Sequence, residues 1–266
     1  MLSISLVTYQ LNSILFSKLL NSLSIAIYQL SFDDNSIEIK IIDNGNQIEL
    51  HKSLLKDFKY ADKVEIISGH NNIGYGKGHN LAIHNCSSKY HLVLNPDVIL
   101  DEKSLITGIK YLESKPDCCA VCPSCSNEKG DTQYLIKQYP SVIDLFIRGA
   151  GIKKLNSLFS KRLAKYEMKS LVESKQIASV SIISGCFMLC RTDLLKQVGG
   201  FDERYFLYFE DFALSLELAK LGKLIYLPSI EIIHYGGDAA RKGIKHIVMF
   251  VASGIKFFNQ YGWKVF

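Results

Sequence analysis

The chain has 266 residues, 48% of them hydrophobic, and a formal net charge of +5, which is enough for one large α/β domain or two small ones with a sizeable core. It excludes a membrane-spanning reading: the longest apolar candidate, Ile244 to Phe258, is broken by Ser253, Gly254 and Lys256, short of the roughly 20 uninterrupted residues a bilayer needs. The N-terminus runs straight into an alternating strand pattern, so no signal peptide is expected and the protein reads as cytoplasmic or peripheral on the cytoplasmic membrane face, its seven cysteines reduced.

From the N-terminus, strand-like and helix-like runs alternate. Leu2 to Thr8 precedes Asn12 to Leu30, Ile37 to Ile42 precedes Ile48 to Phe58, Val64 to Ile67 precedes Lys77 to His84, and Tyr90 to Leu94 precedes Glu102 to Leu112. Such βα repeats predict a parallel sheet with helices on both faces, and ligands in such folds bind beyond the carboxyl ends of the strands. Those ends read Thr8-Tyr9-Gln10, Asp43-Asn44-Gly45, Asn71 to Gly74 and Asn95-Pro96-Asp97: polar, small or acidic each time.

After Cys118 the pattern becomes mixed: a strand Val180 to Cys190, a helix Phe212 to Leu221, strands Leu224 to Leu227 and Glu231 to His234, and a closing amphipathic helix Ile244 to Tyr261. No linker separates two parts, so one domain is expected over 1–240, changing character between 1–115 and 116–240 and followed by a basic helix over 241–266. Cys118, Cys119, Cys122 and Cys125 crowd together, but their spacing matches neither zinc nor iron–sulfur frameworks, and the run reads as a buried strand.

Charge is unevenly spread. Arg148 to Lys175 carries eight Lys or Arg against two acids, Arg241 to Phe266 carries five against none, and the remainder sums to −6. An acidic body with two basic segments suggests a cation site plus a surface that meets an anion such as a phospholipid headgroup or a diphosphate; solvated helix faces are the competing explanation, and nucleic acid is not expected.

Three segments carry chemistry. Asp97, on a turn after an apolar strand, suits a hard divalent cation with diphosphate oxygens and water completing its shell, or alternatively a helix cap. The glycines and Lys77 of NNIGYGKGHN (71–80) would let backbone N–H groups approach phosphates, although the spacing is not that of a dinucleotide fingerprint. Gly185 to Asp211 sets Asp202, Glu203, Glu210 and Asp211 among six aromatic residues. There Asp211 is either a shielded general base or the N-cap of the following helix.

In this order, Ser5 to Gln10, Ile41 to Gly45, Asn72 to Asn80, Leu94 to Val98 and Gly199 to Asp211 resemble the successive motifs of family 2 glycosyltransferases, in the rhamnosyltransferase-like branch. The resemblance runs from about Ser3 to His234. It implies a GT-A fold: a Rossmann-like, mostly parallel α/β sheet flanked by helices. It also implies a nucleotide-sugar donor (dTDP-rhamnose or a UDP-hexose), a divalent metal (Mg2+ or Mn2+), inversion at the anomeric carbon, and a saccharide acceptor, lipid-diphosphate-linked, in surface polysaccharide synthesis.

By that resemblance Thr8 and Tyr9 lie against the nucleoside and Asp43 accepts from the base N–H. Asn72, Gly74, Lys77, Asn80 and Asn95 line the donor site, while Glu210, Tyr208 and Gly185 meet the acceptor. Asp97 matches the last acid of the metal motif, whose first position is here the neutral Asn95, and Asp211 matches the general base. Ala213 replaces a further acid of the usual pattern. His234 is either a metal ligand or a hydrogen-bonded strand end. The C-terminal helix either docks on the inner membrane surface or packs on its own domain or on a second copy in a homodimer. Two rivals stay open, a nucleotidyltransferase and a sugar-nucleotide-binding protein without catalysis.

Overall fold

The computed structural model describes residues 2–30, 36–150, 157–236 and 243–266. Lys153, Lys154, Arg241 and Lys242, counted above in the basic segments, lie outside the described residues.

Four parallel strands form where the alternation placed them. β1 (Leu2–Thr8) sits between β2 (Ile37–Asp43) and β4 (Tyr90–Leu94), with β3 (Val64–Ile67) beside β2. Every residue of β1 is buried, as expected of a strand covered on both faces. The register pairs Thr8 with Asp43 and Leu6 with Leu94, so Tyr9, Asn44 and Asn95 leave the sheet along one edge. The first helix, α1 (Ser13–Tyr28), begins where Asn12 Oδ1 accepts from Leu15 N at 3.1 Å. It is followed by α2 (Ile48–Leu55), α3 (Tyr75–Ile83) and α4 (Ser104–Ser114).

The glycines of α3 serve close packing. A Cβ on Gly76 would stand 2.8 Å from Phe201 Cβ, and one on Gly78 would stand 2.8 Å from Val7 Cγ2. The helix therefore lies closer to β1 and to residue 201 than any other residue type permits.

The remaining elements are β5 (Val98–Leu100), β6 (Cys118–Ser126), β7 (Thr132–Gln133), β8 (Ile136–Lys137), α5 (Val142–Ala150), α6 (Ser160–Tyr166) and α7 (Lys169–Glu173). After them come β9 (Ala178–Val180), β10 (Ile182–Ile183), β11 (Phe187–Arg191), α8 (Thr192–Gln197), α9 (Glu210–Leu218), β12 (Lys223–His234) and α10 (Ile244–Tyr261). One sheet in the order β3-β2-β1-β4-β11-β6-β12-β5 joins both halves of the chain, with β11 antiparallel to both its neighbours and β5 antiparallel to β12.

Two expectations change. The run from Val180 to Cys190 is not one strand: β9 ends on the large sheet at Val180, β10 pairs with β8 in a separate two-stranded sheet, and the Ser184 and Gly185 N–H groups bond Leu135 O and Asp211 Oδ2 before β11 begins. Leu224 to His234 is one strand rather than two, with a register shift between Leu227 and Glu231, around Pro228, which has no N–H to give the ladder. Of the alternatives for the C-terminal helix, packing on its own domain is seen: its inner face sets Phe257 and Phe258 against Tyr205, Phe209 and Ala213. The crowded cysteines lie on β6, buried, and burial holds Cys118 and Cys125 up at about 12, so these thiols stay protonated.

A polar chain sits within the apolar core. Ser5 Oγ lies 2.6 Å from His79 Nδ1 and 2.8 Å from His91 Nε2, tying β1 to α3 and β4. Burial keeps both imidazoles neutral, His79 well below its ordinary range and His91 down to about 3. The unfolded chain takes up these protons below pH ~6.5 while the folded chain does not, so this contribution is present above that pH and is lost as pH falls toward 3. His91→Gln should therefore destabilise at pH 7.5, and its deficit relative to wild type should shrink by about 1.4 kcal/mol per pH unit below pH ~6. Denaturant melts at several pH values check this; a deficit independent of pH contradicts it.

Candidate active site

The site lies where β4, β11, β12 and α9 converge. Asn95 N bonds Cys186 O at 2.9 Å, which sets the turn before β11 beside the end of β4. Gly185, in that turn, gives its N–H to Asp211 Oδ2 at 3.0 Å and accepts from the Tyr75 hydroxyl at 2.7 Å. The same hydroxyl lies 2.9 Å from Asn95 Oδ1. One glycine thus connects the base expected on α9, the motif on α3 and the end of β4. Gly185 braces Asp211, a more definite role than the acceptor contact expected of it.

Asp211 is not an N-cap. Helix α9 starts at Glu210, and Phe209 occupies the cap position with φ 66°, after Tyr208 with φ 70°. Asp211 stands in the first turn, where the helix dipole favours a carboxylate, and its Oδ1 accepts from Phe212 N at 2.9 Å. Burial nevertheless raises its pKa, against the pull of the Gly185 and Phe212 N–H groups and of Lys137. Beside it Glu210 is buried, with Oε2 lacking any partner, and burial together with the Asp211 charge drives its pKa well up. Glu210 therefore keeps its proton when Asp211 ionises. Ser215 Oγ bonds Asp211 O at 2.7 Å and accepts from Ile183 N at 3.1 Å, locking α9 to β10.

On the strand side, β12 and β5 pair His234 with Val98, and Tyr235 N bonds Asp97 O at 3.1 Å. His234 Nε2 stands 3.4 Å from Asp97 Oδ1 and 3.3 Å from Asn95 Nδ2. Gln133 of β7 fixes that ring. Its Nε2 gives to His234 O at 2.9 Å and Gly236 O at 3.2 Å, which leaves its Oε1 to accept from His234 Nδ1 at 3.1 Å. Nε2 then faces both the Asp97 carboxylate and the Asn95 amide. A carboxylate and a ring nitrogen at that separation can share a proton or a metal. The space beside them is kept open by Gly236, where a Cβ would stand 2.7 Å from Asp97 Oδ2 and 3.0 Å from His234 Nε2. Asp97 and His234 fit a divalent metal on these grounds, with Asn95 beside them. Among the described residues no group of three or more His, Cys, Asp or Glu gathers to hold a metal, so substrate oxygens and water would have to complete any shell.

The donor-side residues divide. Tyr9 is 56% exposed at the strand edge, open to stack on a base. Thr8 and Asp43 are wholly buried: Thr8 Oγ1 lies 3.0 Å from His51 Nε2, and the Asp43 carboxylate accepts from Gly45 N at 3.0 Å and Gln47 N at 2.6 Å. This conformation leaves no surface of Asp43 open to a base N–H; it shapes the loop before α2 instead. Asn72 Oδ1 accepts from Gly74 N at 3.0 Å, and Gly74 (φ 90°) lies against Phe206 O, where a Cβ would come within 2.5 Å. Asn80 does not line the cleft. Its amide gives to Phe201 O and accepts from Phe201 N, both at 2.8 Å, clamping α3 to the segment before α9. Lys77 pairs with Glu203 at 3.2 Å, and Asp202 holds Arg204, so both of those acids serve the turn. Sequence reasoning missed Gln133, Tyr75 and Ser215. Tyr75 sits inside the glycine-rich motif and was legible there; Gln133, on a two-residue strand, gave no signal.

The chain was compared with known proteins. A family model described as "Glycosyltransferase like family 2" matches residues 36–242. Rhamnosyltransferase WbbL of Escherichia coli (strain K12) is 30% identical over 220 residues, covering 77% of this chain and 75% of that protein. The N-acetylglucosaminyl-diphospho-decaprenol L-rhamnosyltransferase of Mycobacterium tuberculosis is 27% identical over 216 residues, covering 76% and 67%. Among solved structures, S. aureus TarS 1-349 superposes with a TM-score of 0.57 at 18% identity, over 88% of this chain and 60% of that one. The mannosyltransferase PcManGT of Pyrobaculum calidifontis, in complex with GDP-Man and Mn2+, gives 0.61 at 16% identity, over 96% and 64%. The chain thus spans less than two thirds of these two structures, which share its GT-A fold. A buried carboxylate braced on α9, an Asp–His pair at the strand ends and a family match over most of the sequence agree: the chain belongs to glycosyltransferase family 2.

Proposed function

We propose that this glycosyl-transfer enzyme moves a sugar, with inversion, from a nucleotide-diphosphate donor to a hydroxyl of a lipid-diphosphate-linked saccharide in cell-surface polysaccharide synthesis. Rhamnose is the sugar the named relatives favour, and decaprenol diphosphate in one of their names suggests the acceptor class. The observation that carries the reading is Asp211, held by Gly185, which the Tyr75 hydroxyl joins to Asn95 and so to the Asp97–His234 pair. Asp211 accepts the acceptor hydroxyl proton as that oxygen forms its bond to the anomeric carbon. The bond from that carbon to the diphosphate oxygen breaks on the opposite face, and the electron pair leaves with the nucleotide diphosphate. Asp97 and His234, with Asn95 beside them, would hold the divalent metal, which when bound supplies charge to neutralise the diphosphate. Glu210, neutral, offers the acceptor a hydrogen-bond donor.

A lipid-linked acceptor requires work at a bilayer surface, and no helix among the described residues is long and apolar enough to cross one. The outer face of α10 fits that need. Ile244, Ile247, Val248 and Val251 are exposed along it, Trp263 and Phe266 are exposed beyond its end, and Lys245 and Lys264 accompany it with no acid after Gly243. The full chain should float with vesicles of phosphatidylglycerol and phosphatidylethanolamine, and the double variant Ile247→Ser/Val251→Ser should lose most of that flotation. Equal flotation by both contradicts the docking face.

Asp211→Asn should keep donor binding, read by thermal shift with the nucleotide sugar, yet lose transfer by about 100-fold or more. Glu210→Gln, replacing a neutral acid with a neutral amide, should keep turnover within about tenfold. The acid limb of kcat should lie above the ordinary aspartate value of about 3.9, since the base is lost as Asp211 protonates at its raised pKa. Near-normal turnover in Asp211→Asn overturns its role.

Gln133→Leu should weaken Mn2+ affinity by about 10–100-fold in titration calorimetry with the nucleotide diphosphate present, and Asp97→Ala should abolish metal-linked nucleotide binding. Unchanged Mn2+ affinity in both variants contradicts the metal assignment.

A further inference from the structure

Two consecutive aromatic residues, Tyr208 and Phe209, hold left-handed backbone conformations at φ 70° and 66°, immediately before Glu210 and Asp211. Side chains of that size rarely adopt this region, and such strain persists only where the surroundings over-determine it. Here the surroundings are one face of α10. Ser253 Oγ bonds Leu207 O at 2.8 Å, and the Tyr208 hydroxyl lies 2.8 Å from His246 Nδ1. The Phe209 ring stands 5.0 Å from that of Phe250 and 5.3 Å from that of Phe257. Gly254 lets that ring in: a Cβ there would lie 3.3 Å from Phe209 Cζ. Lys256 Nζ reaches Arg204 O, and the Tyr205 hydroxyl bonds Gln260 Oε1 at 3.1 Å. Positions 246, 250, 253, 254 and 257 follow helical spacing, so these contacts form one continuous stripe.

The turn in question sets the start of α9. Phe209 O accepts from Ala213 N at 2.9 Å, and two residues before that nitrogen Asp211 receives the Gly185 N–H. If Tyr208 and Phe209 relax toward ordinary backbone angles, the first turn of α9 rotates and that bond opens. We propose that Ser253, Gly254 and His246 of the C-terminal helix are positioning residues, which hold the strained turn and thereby set the Asp211 carboxylate against Gly185. The proposal rests on Asp211 being the base for its effect on rate, but not for its effect on the carboxylate itself.

The test compares Ser253→Ala and Gly254→Val with a surface control away from both faces of α10, Ile25→Ser on α1, all in the full chain. Both inner-face variants should lose kcat by about tenfold or more, with the donor KM within about twofold. The Asp211 titration, followed by carboxyl 13C NMR, should move upward, because a carboxylate that loses the Gly185 N–H loses a partner favouring its charged form. The groups around Asp211 are Glu210 beside it, Lys137 of β8, Tyr75 of α3, Cys122 of β6 and Tyr166 of α6, and none is altered in these variants. Ile25→Ser should leave both readouts unchanged. Folded inner-face variants that retain the wild-type Asp211 titration overturn the proposal, whatever their activity. A shifted titration without a rate effect keeps the positioning role and removes Asp211 as the base. If Gly254→Val does not fold, Ser253→Ala, which removes a single hydrogen bond, decides alone.

Discussion

The arrangement depends on Gly185. Its N–H holds Asp211 and its carbonyl receives the Tyr75 hydroxyl, so the residue joins α9 to α3 at the mouth of β11. A side chain there has little room: a Cβ would stand 3.3 Å from the Tyr75 ring and 3.4 Å from Asp211 Cβ. Because β11 runs antiparallel beside β4, the same turn also fixes the end of β4, where Asn95 and Asp97 leave the sheet. Base and cation pair are thus referred to one backbone position rather than to two loops that move independently, the kind of preorganisation that transfer chemistry needs.

Electrostatics divides the cleft. On the α9 side, burial opposes charge: Glu210 stays neutral and Asp211 ionises only with the help of two backbone N–H groups and Lys137. On the strand side, Gln133 accepts from His234 Nδ1 and so turns Nε2 toward Asp97, a pair that can share a cation. A carboxylate that holds a proton poorly but not too poorly, facing a place that attracts a cation, is the polarity required to take a proton from a hydroxyl while a diphosphate departs.

Much of the first half was legible in sequence because βα alternation and polar strand ends are local signals. β1 to β4 form as read, with Asp97 beside His234 and Asp211 bonded to Gly185. What was hidden is non-local. The antiparallel insertion of β11 depends on where the chain must leave the sheet to bring Gly185 to Asp211. The roles of Asp43 and Asn80 turned on burial: both have the right residue type for ligand binding, yet their polar atoms are engaged by nearby backbone. The glycines of α3 were read as a phosphate loop because glycine permits close approach, and they do permit it, toward Val7 and Phe201. The C-terminal helix was read from a single apolar stripe. It has two, one packed on the strained turn before α9 and one exposed.

The most direct test of the central claim is single-turnover transfer by Asp211→Asn, with donor binding followed in the same samples. The account predicts an unchanged thermal shift with nucleotide sugar and a rate of glycosidic bond formation reduced by about 100-fold or more. Transfer at a near wild-type rate, with donor bound, would contradict it.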